Sequence, residues 1–151
     1  MNKKYIVEKI DNFISGTMNT YGIIFLRYSV GIIFIWFGFL KPLGMSPAQD
    51  LVANTVYWFE DKMSFVKFLG WWEVVIGLTM CYKPLIRVSI FLLFIQMPGT
   101  FLPLVLLPEV CFTKFPFGLT LEGQYIVKNL IIISSALVIG GTLNDYKISR
   151  K

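Results

Sequence analysis

Three ionised side chains inside apolar segments are the residues of this sequence that could do chemistry. Glu73 lies within the run LGWWEVVIG (69–77), while Arg27 and Lys128 lie in apolar runs before and after it. Burial disfavours the charged form of a carboxylate, so such a group either pairs with a cation or takes up a proton. The sequence therefore predicts a buried ion pair or a proton-binding group at Glu73, with Arg27 and Lys128 as the two candidate partners.

Other kinds of chemistry are disfavoured by what the chain lacks. It has no histidine and only two cysteines, Cys81 and Cys111, which form no CxxC pair. It also has no GxGxxG or GxxxxGK[ST] motif. These absences argue against a metal, haem or nucleotide site and against dithiol redox chemistry. We therefore expect no catalytic apparatus in the chain alone, and expect any part in catalysis to be that of a subunit.

The elements that position these residues are predicted to be membrane-spanning helices. Of the 151 residues, 56% are hydrophobic and only 15% are charged, against about 25% charged residues in soluble domains. Apolar windows occur at 21–40, 65–82, 88–107 and 125–143, each near the ~20 residues that cross a bilayer as a helix. The predicted fold is an all-α integral membrane four-helix bundle, with residues 1–151 forming a single transmembrane domain in contact with the lipid bilayer.

Loop charges predict the orientation of the bundle. The cations of the two tails and of the link between spans two and three share one side: Lys3, Lys4, Lys9, Lys83, Arg87, Lys147, Arg150 and Lys151. The opposite loops contain five acids as well as lysines: Asp50, Glu60, Asp61, Glu109 and Glu122. The positive-inside rule then predicts a protein of the inner (cytoplasmic) membrane with both termini in the cytoplasm. The net charge of +5 is thereby explained by membrane orientation, and no nucleic-acid partner is expected.

Two short helices are expected outside the spans. Ile6, Val7, Ile10, Phe13 and Ile14 fall at helical spacing, which predicts an amphipathic N-terminal helix lying on the inner membrane surface. In the first outer loop, SPAQ (46–49) has a serine, a following proline and a glutamine three residues after the serine. This pattern is typical of a helix start and predicts a short helix over the outer mouth of the bundle, or a loop that only packs there.

Polar and small residues recur on one face of each predicted span. Residues three and four apart share a helix face, and the stripes are Arg27, Gly31, Phe34, Gly38 and Lys41; Gly70, Glu73 and Gly77; Ser89, Leu92, Gln96, Gly99 and Pro103; and Lys128, Ile132, Ser135, Ile139 and Thr142. In lipid, such faces turn toward each other. Glu73 is thus predicted to face the bundle interior. Depth along the helices does not choose between Arg27 and Lys128, and either could instead extend to a membrane surface.

Two further features have a structural and a functional interpretation. Pro98 and Pro103 in QMPGTFLP (96–103) predict a kink or an unwound turn in span three, which is either inert or part of a substrate path. Trp36 and Trp71 fit an aromatic belt at the membrane boundary, or alternatively could stack on a flat ligand such as a quinone.

The order and spacing of several segments resemble the DoxX-like superfamily of small four-helix membrane proteins. The chain is most similar to the branch of the reactive-chlorine (hypochlorite) resistance membrane protein. The segments are LRYSVGIIFIWFGFLK (26–41), LVAN (51–54), LGWWEVVIG (69–77), FP (115–116) and EGQYIVKN with the apolar run after it (122–139). The resemblance implies that the polar positions of the family correspond to Arg27, Lys41, Asn54, Glu73 and Lys128. The chain differs from that branch in lacking histidines and in a shorter loop before span two.

Three functions follow as hypotheses. The resemblance implies a membrane component of a redox or oxidative-stress system, contacting quinone or other redox or membrane proteins. A Glu73 able to bind a proton would instead fit a small proton-coupled transporter. In the third hypothesis the buried cluster of Arg27, Lys41, Asn54, Glu73, Gln96 and Lys128 only fixes helix packing in an assembly or structural factor, which could act as a homo-oligomer.

Overall fold

The computed structural model describes residues 3–143, with the side chains of 3–5 and 19 excepted. It is mostly helical: α1 Lys3–Leu40, α2 Gln49–Thr55, α3 Lys62–Cys81, α4 Ile86–Phe101, α5 Pro103–Leu106, α6 Pro108–Cys111, β1 Phe112–Lys114, β2 Gly118–Leu119, α7 Leu121–Val127 and α8 Asn129–Thr142. The tail cations Lys147, Arg150 and Lys151 lie outside the described residues.

Four helical stretches within residues 3–143 are long and apolar enough to cross a membrane. They are Ile6–Leu40, Lys62–Cys81, Lys83–Leu106 and Leu121–Thr142. Each overlaps one of the four predicted spans, which confirms, within the described residues, that the chain is mostly helical and has four helices long and apolar enough to cross a membrane. The small departure from an all-α fold is an antiparallel hairpin in which Phe112 pairs with Leu119 and Lys114 with Gly118.

The prediction of a separate N-terminal surface helix is wrong. Residues 3–40 form one continuous α1 of 38 residues, about 57 Å long at 1.5 Å per residue. The first proline of the chain is Pro42, and Gly16 and Gly22 weaken a helix without ending it. The amphipathic segment and span one are therefore continuous in one helix.

Proline and glycine explain where α1 ends. Pro42 disfavours helical geometry at Lys41, the residue before it, and α1 ends at Leu40. Gly44 then adopts φ +72°, the left-handed conformation that glycine tolerates best. Its N–H donates to the Lys41 carbonyl at 3.1 Å, which closes the turn and reverses the chain toward α3.

The short loop helix is present but begins later than its motif predicted. Helix α2 begins at Gln49 with Ala48 in the capping position and no side-chain cap. Ser46 contributes only its carbonyl, which accepts from the Gln49 N–H at 3.1 Å. The predicted serine cap is thus wrong, because Ser46 and Pro47 lie in the turn that precedes the helix.

Span three is interrupted at one of its two candidate positions. Pro98 lies inside α4, while Leu102 separates α4 from α5 immediately before Pro103. Proline cannot donate a backbone hydrogen bond and crowds the preceding turn, and Pro103 begins a new helix here. The predicted irregularity is a break of one residue, and the Leu102 N–H still donates to the Gly99 carbonyl at 3.3 Å.

Glycines set the register of α1 against α3. An added Cβ on Gly38 would lie 2.7 Å from the carbonyl oxygen of Gly70, and one on Gly77 would lie 2.5 Å from that of Gly31. Gly31 and Gly38 are seven residues apart on α1, as are Gly70 and Gly77 on α3, so the two backbones stay in contact over two helical turns. Since Gly31 faces Gly77 and Gly38 faces Gly70, the two helices are antiparallel.

Helices α4 and α8 complete a core around the α1–α3 pair. Ser89 of α4 is fully buried and donates to the Ile76 carbonyl of α3 at 2.7 Å. The core consists of Val30, Phe34, Ile76, Met80, Ile86, Leu93, Met97, Ala136 and Ile139. Helix α4 runs antiparallel to α3 and so finishes where α3 begins. We call this the hairpin end of the bundle, because the β1–β2 hairpin follows from it.

Candidate functional site

The candidate site is built around an ion pair between Lys41 and Glu73. Lys41 Nζ donates to Glu73 Oε2, and the two side chains are only 7% and 12% exposed. Gln96 Nε2 of α4 donates to the other carboxylate oxygen, Glu73 Oε1, at 2.8 Å. Both oxygens of Glu73 are therefore occupied, and one carboxylate joins α3 to α4 and to the end of α1.

The geometry of Gln96 follows from the charge beside it. Its amide nitrogen faces Glu73 because an amide oxygen in that position would be repelled by the carboxylate. Its Oε1 is then directed elsewhere, buried and without a hydrogen-bond partner within residues 3–143. A buried acceptor without a donor is costly, so this atom is the place in the cluster suited to a water or to a ligand that donates a hydrogen bond.

The partner of Glu73 is neither of the two candidate cations, Arg27 and Lys128. The depth of each residue in the membrane was counted from the predicted end of its own span, as if all spans ended at the same level, whereas α3 extends beyond the end of α1. An added Cβ on Gly70 would lie 2.7 Å from Lys41 Cβ, so Lys41 lies level with Gly70, eight residues into α3. Helical side chains lean toward the helix N-terminus, and the Lys41 side chain points back into the bundle from just beyond α1 to reach Glu73.

Arg27 and Lys128 lie elsewhere. Arg27 is fourteen positions before Lys41 on α1, about 21 Å away along the axis, with its guanidinium carbon 4.6 Å from the centroid of the Tyr28 ring. Its Nε is buried and has no hydrogen-bond partner in the part of the chain described. Lys128 is exposed, at the one-residue junction of α7 and α8, with its Nζ 5.1 Å from the Tyr125 ring centroid.

The remaining residues singled out from sequence are exposed. Asn54 lies on an exposed face of α2. Trp36 and Trp71 are 65% and 51% exposed, and Trp71 contacts Phe39 edge to face with ring centroids 5.7 Å apart. Of the six predicted cluster residues, Lys41, Glu73 and Gln96 are thus brought together, and the two tryptophans lie on the outer surface.

Two titratable groups at the hairpin end have shifted pKa values. Hydrogen bonds from the Ser64 hydroxyl and N–H lower the pKa of Asp61, the N-cap of α3. Burial, with smaller contributions from Glu122 and Glu109, raises the pKa of the Cys111 thiol. That thiol is fully buried and contacts the Pro103 carbonyl at 3.4 Å. Among residues 3–143 no three acidic or cysteine side chains lie close enough to hold a metal ion.

The chain is thus a helical protein with four apolar helices suited to crossing a membrane. The cluster of Lys41, Glu73 and Gln96 is buried between the end of α1, α3 and α4. Comparison of the chain with protein-family models, with characterised proteins and with solved structures gave no match.

Proposed function

We propose that the chain is a non-catalytic component of a redox or oxidant-defence system in the cytoplasmic membrane, in which the Lys41–Glu73–Gln96 cluster locks three helices together. The observation that carries the structural role is the occupation of both Glu73 oxygens by side chains from α4 and the end of α1. Since both carboxylate oxygens are engaged by side chains of neighbouring elements, the geometry favours this role over proton carriage. The redox assignment rests on the resemblance to the DoxX-like superfamily.

The quinol head group of a reduced membrane quinone is the ligand that we propose for this component. The contact proposed for it is Gln96 Oε1, because a quinol hydroxyl would supply the donor that this buried acceptor lacks. The exposed Trp36 and Trp71 do not flank the cluster and are assigned to the lipid boundary instead. Both termini are proposed to lie in the cytoplasm, in keeping with the basic link between α3 and α4.

The experiment combines purification from native membranes with survival of a deletion strain. Protein purified in mild detergent is extracted and its quinone content measured by mass spectrometry, for the wild type, Gln96→Met and the double variant Trp36→Leu/Trp71→Leu. We expect quinone in the wild type and in the tryptophan variant, and a loss in Gln96→Met. Absence of quinone from all three, together with unchanged oxidant survival of the deletion strain, contradicts the proposal.

The same material separates the two other functions. Proton or solute flux into liposomes that falls in Glu73→Gln, but not in Lys128→Gln, would establish a carrier instead. Recovery of one defined membrane protein without any quinone would establish an assembly factor. Reporter fusions at each terminus test the orientation, and a signal from the non-cytoplasmic side for either terminus refutes it.

A further inference from the structure

Arg27 has a buried donor that no residue within 3–143 satisfies. Its Nε is buried without a hydrogen-bond partner, while its guanidinium carbon lies 4.6 Å from the centroid of the Tyr28 ring. A buried donor without an acceptor is costly, and the guanidinium fork matches the paired oxygens of a phosphate or a carboxylate. An anion with two such oxygens is the group that would complete this side chain.

The carboxylates of the described residues lie elsewhere. Glu73 is in the cluster with Lys41, and Asp11 precedes Arg27 by sixteen residues on α1, about 24 Å along the axis. Glu8 is farther still, and the others lie toward the hairpin end: Asp50, Glu60, Asp61, Glu109 and Glu122. The anion for Arg27 therefore does not come from the described part of the bundle.

Arg27 lies at the end of the bundle where α3 passes into α4, which we call the link end. An added Cβ on Gly31 would lie 2.5 Å from the sulfur of Cys81, the last residue of α3. Arg27 is one turn before Gly31 on the antiparallel α1, about 6 Å along the axis, so it lies just beyond the end of α3. Its side chain leans toward the start of α1 and so away from the bundle centre.

This level is that of lipid phosphates when the helices cross a bilayer. Helix α3 has 20 residues and is about 30 Å long, which equals the thickness of the hydrocarbon core. A guanidinium just beyond its last residue is then at the boundary with the head groups. Lys83 and Arg87 are exposed at the same end and make it positively charged, which suits an acidic lipid.

An apolar cleft of about 320 Å³ between α1 and α8 begins at the neighbour of Arg27. It is lined by Leu26, Leu130, Ile131, Ser134, Ser135 and Val138. Both serine hydroxyls donate to carbonyls of their own helix, at 2.9 and 2.7 Å, so neither is left to donate to a ligand. An added Cβ on Gly140 would lie 3.3 Å from Ile90 near the start of α4, which places Val138 toward the link end. From there the cleft follows α8 to Leu130, about 12 Å toward the bilayer centre.

From the unsatisfied guanidinium at head-group level and the apolar cleft that leads inward beside it, we propose a binding site for one acidic phospholipid. The lipid phosphate accepts hydrogen bonds from Arg27, and one acyl chain lies in the cleft between α1 and α8. The charges of Lys83 and Arg87 favour an acidic lipid over a zwitterionic one. The site depends on the helices crossing a bilayer and not on the redox assignment, since a protein without quinol would bind the lipid equally.

Native mass spectrometry of the full chain, delipidated in detergent, tests the site. Phosphatidylglycerol and phosphatidylcholine with identical acyl chains are added in turn, and the fraction of protein carrying one lipid is measured. We expect the acidic lipid to bind more tightly, and Arg27→Gln to weaken its binding at least roughly tenfold, the usual cost of losing a hydrogen bond to a charged group. Lys128→Gln removes an exposed cation at the junction of α7 and α8 and should bind as the wild type does.

The cleft is tested separately from the charge. Val138→Phe places a larger side chain in the cleft and should weaken lipid binding although Arg27 is intact. Val88→Phe is the matched control, because Val88 is similarly exposed on α4 and does not line the cleft. Arg27→Lys keeps the charge without the fork, so it should retain part of the binding and serves where Arg27→Gln fails to fold.

Thermal midpoints of the same proteins distinguish a lipid from a soluble anion. Phosphatidylglycerol should raise the midpoint of the wild type more than that of Arg27→Lys, and inorganic phosphate should raise neither. Equal stabilisation by phosphate and by the lipid overturns the lipid site in favour of a soluble anion. Equal binding of the two lipids by the wild type, or undiminished binding of the acidic lipid by both Arg27 variants, overturns the site altogether.

Discussion

Gly38 and Gly70 pack backbone against backbone: an added Cβ on Gly38 would lie 2.7 Å from the Gly70 carbonyl oxygen, and one on Gly70 would lie 2.6 Å from the Gly38 carbonyl oxygen. No flexible side chain lies between them to yield. The close approach of α1 and α3 thus depends on the absence of two methyl groups, and it brings Lys41 to the level from which it reaches Glu73.

Alanine at these glycines should separate the helices. We expect Gly38→Ala and Gly70→Ala each to lower the free energy of unfolding by roughly 1–3 kcal/mol, the usual cost of overpacking, measured by denaturant titration in detergent. Gly22→Ala is the matched control, since nothing lies within 4 Å of its added Cβ. It should be neutral or stabilising, because alanine favours helix over glycine by about 1 kcal/mol. Equal effects at all three positions would contradict the close packing.

Removing both members of the ion pair should cost less unfolding free energy than the two single removals added together. Lys41→Met leaves Glu73 buried with Gln96 alone, and Glu73→Met leaves Lys41 without its counter-ion. We expect each single variant to lose about 3–5 kcal/mol of unfolding free energy, and the double variant to lose clearly less than the sum. Lys128→Met, at an exposed position, should stay within about 0.5 kcal/mol of the wild type. Strict additivity would show that the pair is not coupled.

Acid should weaken the start of α3 through Asp61. Its folded pKa lies below the ordinary 3.8 because Ser64 donates to the ionised carboxylate. The ionised form therefore stabilises the folded protein above the unfolded pKa, and this contribution is lost as the pH falls through the folded pKa. Asp61→Asn keeps a capping oxygen without the charge, so its thermal midpoint should fall less between neutral pH and about pH 3 than that of the wild type. An identical acid response in both proteins would be inconsistent with this cap.

Thiol reagents should distinguish the two cysteines. Cys111 is fully buried and its pKa is raised, whereas Cys81 is partly exposed. Since the thiolate is the reactive form, we expect maleimide to label Cys81 first in single-cysteine variants and to label Cys111 only after denaturation. Glu122→Gln should lower the pKa of Cys111 in the folded protein. Rapid labelling of Cys111 in the folded protein would contradict its burial.

Patterns local to one helix were predicted well, because they depend on composition and on the 3.6-residue period alone. The stripes containing Gly31, Gly38, Gly70 and Gly77 were visible as small residues on single faces, and α1 and α3 meet through them. The inward position of Glu73 and Gln96 followed from the same periodicity. The four helices long and apolar enough to cross a membrane were predicted from apolar windows of bilayer length.

What sequence reasoning missed depends on how elements shift against one another. The partner of Glu73 is Lys41, which the sequence placed on the polar stripe of span one but not among the two candidate partners. It was missed because the register of α1 on α3 comes from glycine contacts and not from the ends of the apolar windows. The continuity of α1 was missed because the amphipathic pattern at its start is typical of surface helices, and nothing local states whether the chain bends at Gly16 or Gly22. The hairpin was missed because its strands have three and two residues.

Helix α1 is unbroken along its whole length, so its two ends move together. Phe13 and Leu40 are joined by continuous helical backbone, about 40 Å of a rod that bends little. A tilt of α1 near Phe13 would shift its other end, Leu40. The next residue is Lys41, whose ammonium group pairs with Glu73. We therefore expect a contact that tilts the exposed start of α1 to change the position of Lys41 relative to Glu73.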